Sequence, residues 1–155
     1  MMKRKKYHIV RLLKLSVVLG ILILIFAILT SMSYNETGKE LVEDAIYERQ
    51  DAMRMYFASE IDYWEAAAML EKVEAGNLLE KDKQYLKDYF RTDIEKVEEC
   101  EILNTELTLM SSDLVCATVE ILWETEGLEG TEETSAFYSI ILENQGDSFK
   151  LVHFF

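Results

Sequence analysis

The chain has 155 residues and a mass of 18.0 kDa, enough for one compact domain with an appendage and too few for a multidomain enzyme. Half of the residues are apolar, which excludes a fully disordered chain. The net charge of -13 is uneven: Lys3, Arg4, Lys5, Lys6, Arg11 and Lys14 fall within the first 34 residues with no acid, so residues 35–155 hold 10 basic against 29 acidic side chains. Such a body repels phosphate backbones, and nucleic acid is excluded as its partner.

From Leu15 to Met32 the sequence LSVVLGILILIFAILTSM carries no charge, and counting on to Tyr34 gives 20 residues. A helix of that length spans about 30 Å, the thickness of a bilayer's hydrocarbon core. Residues 15–34 are therefore expected to be a transmembrane helix contacting lipid. Residues 1–14 form a basic cytoplasmic tail, and residues 35–155 an extracytoplasmic domain, because Lys and Arg are retained on the cytoplasmic side. The competing reading is a cleaved signal peptide. Against it, the uninterrupted run Val17 to Leu29 is long for such a segment, Ala27-Ile28-Leu29 lacks the small-x-small pattern, and only Ser31-Met32-Ser33 offers a weak cleavage site. No cysteine follows the run, as a lipoprotein would need, and the small residue and Glu of pilin processing are missing.

Beyond Asn35 the spacing becomes helical. Thr37-Gly38-Lys39-Glu40 has the form of a capping box and predicts a new helix start. Val42, Ile46, Met53 and Phe57 make a buried stripe, with Glu43, Asp44, Glu48, Arg49, Asp51 and Arg54 on the solvent face. Ser59 with Asp62 marks a second start, and DYWEAAAMLEKVEA runs to Gly76 as a carboxyl-terminal cap. KDKQYLKDYF predicts a third, shorter helix with Tyr85, Leu86, Tyr89 and Phe90 on one side.

Strands follow from about Glu99. Leu103, Thr105, Leu107 and Leu109 alternate with polar residues, and Ser111-Ser112-Asp113 makes a turn. Val115, Ala117, Val119, Ile121 and Trp123 then form a wholly apolar face of period two. ETEGLEGTEET reads as an acidic loop, and AFYSIILE and FKLVHFF flank the hairpin signal Asn144-Gln145-Gly146-Asp147. The expectation is an α+β fold: an N-terminal transmembrane helix, then about three helices packed on an antiparallel sheet of about four strands.

This order of elements resembles the NTF2-like (cystatin-like, cone-shaped) superfamily over roughly residues 40–155. IDYWEAAAMLEKVEAG is similar to its second helix, and ATVEILWETEG with SAFYSIILENQGDSFKLVHFF to its closing strands. The resemblance implies a strongly curved sheet. A short strand common between the second and third helices is not evident around Asn77-Leu78-Leu79. Bacterial members behind a single anchor are commonly envelope proteins, and some resemble parts of conjugation or secretion machinery. Family enzymes place Asp, Tyr or His in the cone to move protons. Asp62, Tyr63 and His153 are the candidates here, with Trp64, Trp123, Tyr138 and Phe149 available to line a pocket.

Other chemistry is sparse. His153 is the one histidine of the body and His8 lies in the basic tail, so no histidine pair exists for a metal site. Cys100 and Cys116 form no C-x-x-C motif. With a hairpin centred on Ser111-Ser112, Cys100 faces Trp123 and Cys116 faces the neighbourhood of Leu107, too far apart for a disulfide within the chain. Glu124, Glu126, Glu129, Glu132 and Glu133 lack the calcium-loop spacing and are expected to be solvated. No nucleophile elbow, zinc-protease, P-loop or dinucleotide motif occurs. The expectation is an envelope protein with a non-catalytic domain that binds a protein or small ligand, with no catalytic, cofactor-binding or metal-binding residue and no cofactor. The rivals are a structural component of a conjugation- or secretion-type assembly, and an NTF2-like enzyme.

Overall fold

The structure, a computed structural model, describes residues 2–89, 96–127 and 130–155. The chain divides into two compact units, Met1–Thr37 and Gly38–Phe155. Helix α1 (Met2–Phe57) runs through both. In the first unit, Val17 to Thr30 are all exposed, and by length and composition this helix is apolar enough to cross a membrane. Thr30 donates its hydroxyl hydrogen to the carbonyls of Phe26 and Ala27, both 3.0 Å away, so its polar group is satisfied within the helix, as hydrocarbon surroundings require.

The expected helix start at Thr37–Glu40 is not observed, because α1 continues through it. A capping box stabilises a helix end only where the upstream turn stops, and no proline or glycine pair stops it here. Gly38 has another reason: a Cβ there would stand 2.6 Å from both Leu107 Cδ1 and Met110 Sδ. Helix α1 ends in a Schellman motif, with Glu60 N–H donating to Met55 O at 2.8 Å, Ser59 N–H to Tyr56 O at 2.9 Å, and Ser59 at φ 61°. Asp62 then caps α2 (Tyr63–Val73), accepting from Glu65 N–H at 2.9 Å while its own N–H donates to the Glu65 carboxylate at 3.1 Å. The second helix ends at Val73, and Gly76 opens α3 (Gly76–Asp88) instead of closing α2, so the third helix is longer than expected. Phe90, placed in that helix from sequence, lies outside the described residues.

Strands β1 (Lys96–Met110), β2 (Leu114–Gly127), β3 (Gly130–Asn144) and β4 (Phe149–Phe154) form one antiparallel sheet in the order β1-β2-β3-β4. The turns are those expected: Ser111 Oγ accepts from Leu114 N–H at 3.0 Å, and Asn144 Oδ1 accepts from Gly146 N–H at 2.8 Å, with Gly146 at φ 98°. Val115, Ala117, Val119 and Ile121 are buried against Val42, Ile46, Ile140, Leu142 and Leu151 in the main core. A smaller core joins Ala52, Met53 and Tyr56 of α1 to Ala66, Leu70 and Leu86.

Bulges account for the departures from simple alternation. Shifts between Ile102 and Asn104 and between Leu107 and Leu109 turn Leu103 and Leu109 outward and Ile102 and Met110 inward, so the expected Leu103–Leu109 set does not share a face. The acidic stretch expected as a loop is two strand arms: Glu124 pairs with Glu133, Thr125 with Glu132, and Gly127 with Gly130. Its Thr-rich text suits a pleated ladder, and pairing outweighs polarity. Glu129 lies outside the described residues.

Candidate functional site

Buried charge, which ordinarily signals a paired or functional group, concentrates at one place. Arg49 sits on α1 between Ile46 and Met53, one helical step from each, and therefore on the buried face and not on the solvent face expected from sequence. Glu74 follows the last residue of α2 in extended backbone, where it forms a parallel bridge with Leu151 of β4, and Ala75 N–H donates to Leu151 O at 3.0 Å. That bridge fixes Glu74 inward, with 0% exposure. Asp82 is buried on the same side of α3 as Leu78 and Leu86.

The three side chains converge. Arg49 Nε–H is shared between Glu74 Oε1 and Asp82 Oδ2, each at 2.8 Å, and Arg49 Nη2 donates to Asp82 Oδ2 at 2.6 Å. The guanidinium carbon lies 4.6 Å from the centroid of the Phe154 ring, a cation–π contact from β4. Glu74 Oε2 is buried without a hydrogen-bond partner. Burial, followed by the neighbouring Asp82 carboxylate, raises the Glu74 carboxyl to about 8, and the pull of Arg49 offsets this only in part.

Beside this cluster the inner face is aromatic. Trp123 Nε1–H donates to Tyr138 Oη at 2.9 Å, and the Tyr138 ring lies 4.8 Å from that of Phe154. Cys100 pairs across the ladder with Trp123 as expected, and burial pushes its thiol up to about 11, which makes it a poor nucleophile at neutral pH. Cys116 pairs with Leu109 on the outer face, in the expected neighbourhood of Leu107 but two positions on, because the turn is centred between Ser112 and Asp113. The bulges further along restore the expected register at Cys100. The cysteines face opposite sides of the sheet, seven residues apart along β2, or about 23 Å.

Among the described residues no hydrogen bond or ring contact joins Asp62 or Tyr63, proposed from sequence to move protons, to His153. Asp62 is committed to capping α2. Tyr63 lies 5.1 Å beneath Lys87 Nζ at the helical end of the domain. His153 is exposed, packed edge-on against Phe155 at 3.8 Å between centroids. A bulge at Val152 puts Phe154, and not His153, on the core side opposite Ile140. Of the aromatics expected to line a pocket, Trp123, Tyr138 and Phe149 do pack against the core, but Trp64 is 77% exposed on α2. Among the described residues no group of three His, Cys, Asp or Glu side chains is arranged to hold a metal ion. The one signal for the Arg49 cluster was positional, an arginine in phase with Val42, Ile46, Met53 and Tyr56; nothing in the sequence marks Glu74 and Asp82 as its partners.

Neither a family model nor a curated protein matches the chain. Solved structures do. The intermembrane space region of the chloroplast protein ARC6 is similar at a TM-score of 0.50 and 15% identity, over 76% of this chain and 94% of that one. The association domain of CaMKII from C. elegans gives a TM-score of 0.47 at 13% identity, over 77% and 97% of the two chains. These likenesses concern the α+β fold.

Proposed function

We propose that the chain is a single-pass membrane protein, amino terminus in the cytoplasm, whose NTF2-like α+β head lies outside the cytoplasm and binds a protein or small ligand without turning it over. The observation that carries this reading is the exposed apolar stretch Val17–Thr30, preceded by six basic residues and followed by an acidic domain. Exposed leucine and isoleucine over that length are stable only in lipid or against another apolar surface. The solved region of ARC6 that this chain resembles in fold is by its title an intermembrane space region. The use of Asp62 as the cap of α2 and the exposure of His153 support a binding role over a proton-moving one.

A carboxyl-terminal reporter active only in the cytoplasm should stay silent, and the chain should remain in membranes after an alkaline wash. Strong reporter activity overturns the orientation, and release into the medium overturns the anchor in favour of cleavage. Turnover in a broad substrate screen, lost on Asp62→Asn or His153→Ala with an unchanged circular dichroism spectrum, overturns the non-catalytic reading.

A second reading, a structural part of a conjugation- or secretion-type assembly, is favoured by apolar side chains on the outer sheet face: Phe137 is 67% exposed, Phe155 65% and Leu109 50%. A photo-cross-linker at Phe137 that captures one defined membrane complex in cells would turn the assignment to it.

A further inference from the structure

We infer that Glu74 and Asp82 together hold one proton at neutral pH, and that this proton latches the α2–α3 joint and α3 onto α1. The argument starts from charge. One guanidinium faces two carboxylates in a site where Arg49, Glu74 and Asp82 are all buried, so with both acids ionised the cluster carries an uncompensated negative charge. Among the described residues no other group supplies the balance. Lys83 is engaged with Glu71 at 2.6 Å, and Lys150 donates to the Glu71 carbonyl. From β4 the neighbour is the Phe154 ring, and from β1 it is Cys100, whose thiol is neutral. From α3, Tyr85 is also protonated, its hydroxyl held above its usual value chiefly by burial.

Hydrogen bonding says where the proton sits. Glu74 Oε2 has no partner, so in a carboxylate it would carry part of a charge into apolar surroundings. In the neutral acid neither oxygen carries the charge, so leaving Oε2 unpaired costs far less. Glu74 Oε1 then keeps the Arg49 Nε–H bond, and the carboxyl's hydrogen is shared with the neighbouring Asp82 carboxylate, which accepts from Arg49 Nη2. One proton turns a frustrated triad into a closed network joining α1, the α2–α3 joint and α3. The raised Glu74 carboxyl agrees with this placement.

The sign of the linkage follows. When the latch opens, Glu74 regains its ordinary value of 4.5 and releases the proton. The opening constant should therefore rise about tenfold per pH unit between about pH 5 and pH 8 and level off above.

Infrared spectra of the detergent-solubilised full chain test the proton directly. At pH 7, where exposed carboxyls are ionised, one carboxylic-acid carbonyl band should remain. It should shift with carbon-13 glutamate, fade as pH passes about 8, and be absent in Glu74→Gln and in Asp82→Asn. No such band at pH 7, or a band that ignores the glutamate label, overturns the proposal; the label decides even if a variant fails to fold. Hydrogen exchange of residues 78–88, corrected for the chemical rate, tests the latch. Protection should fall from pH 5 to pH 8 in the wild type and stay level in Glu74→Gln. A wild-type profile as flat as the variant's overturns the latch.

Discussion

Two sets of acids in this domain sit within reach of one another, and the fold treats them in opposite ways. Glu74 and Asp82 are buried around Arg49. Glu99, Glu124 and Glu133 lie in register across three neighbouring strands at the outer end of the β2–β3 hairpin, with water on one side. Inside, each carboxylate loses its hydration, so geometry must be closed by a cation and, we propose, a proton. Outside, solvent screens the repulsion and the row needs no partner. The same residue type thus acts as a structural joint in one place and as a tolerated liability in the other.

The largest expected effect comes from breaking the inner set. Arg49→Ala leaves two buried carboxylates with no cation and should lower stability by about 3–5 kcal/mol. Guanidinium unfolding of the solubilised chain, followed by tryptophan fluorescence, measures it. A cost below about 1 kcal/mol would mean that water reaches the cluster and that the contrast between inside and outside is false. Replacing the whole triad should behave differently. Arg49→Met, Glu74→Leu and Asp82→Leu together remove the charges and their desolvation at once, so the triple variant should unfold within a few kcal/mol of the wild type, on either side, and well above Arg49→Ala. A triple variant no more stable than Arg49→Ala would show that packing, and not charge balance, sets the cost.

Thr105 sharpens the comparison from the polar, uncharged side. It is buried on the inner face of β1 opposite Val119, and its Oγ1 has no hydrogen-bond partner. An unpaired buried hydroxyl costs about 1–3 kcal/mol, and valine has nearly the same shape. Thr105→Val should raise stability by roughly 1 kcal/mol in the same unfolding assay, within the lower part of that range. A loss would mean that the hydroxyl has a partner in solution.

What the sequence revealed divides along similar lines. The alternation from Val115 to Trp123, the Asp62 start of α2 and both tight turns were legible, because each depends on neighbours within a few residues. The bulges near Leu103, Leu107–Leu109 and Val152 were not: a bulge adds one residue without changing composition, yet it reverses which side chains face the core. The charge of Arg49 points to solvent, although its phase places it in the buried stripe. Its partners come from 25 and 33 residues further along the chain, and only the tertiary fold brings them to it. The charge of Glu124, Glu126, Glu132 and Glu133 points to a solvated loop and conceals the pairing that a long hairpin enforces.

The smallest effect concerns that hairpin. Glu124 stands between Glu99 on one side and Glu133 on the other, and like charges directly opposite on a sheet cost about 0.2–1 kcal/mol. Glu124→Gln keeps the size of the side chain and removes the charge, so at low salt it should raise stability by a few tenths of a kcal/mol. At 1 M salt the screening length falls to about 3 Å, shorter than the spacing of opposed side chains, and the gain should disappear. Persistence of the gain in salt would assign it to packing and not to repulsion. A loss at low salt, with calcium stabilising the wild type and not Glu124→Gln, would mean that the row binds a cation. The outer acids would then resemble the inner ones, closed by a counter-charge, and the contrast between them would be one of ligand and not of burial.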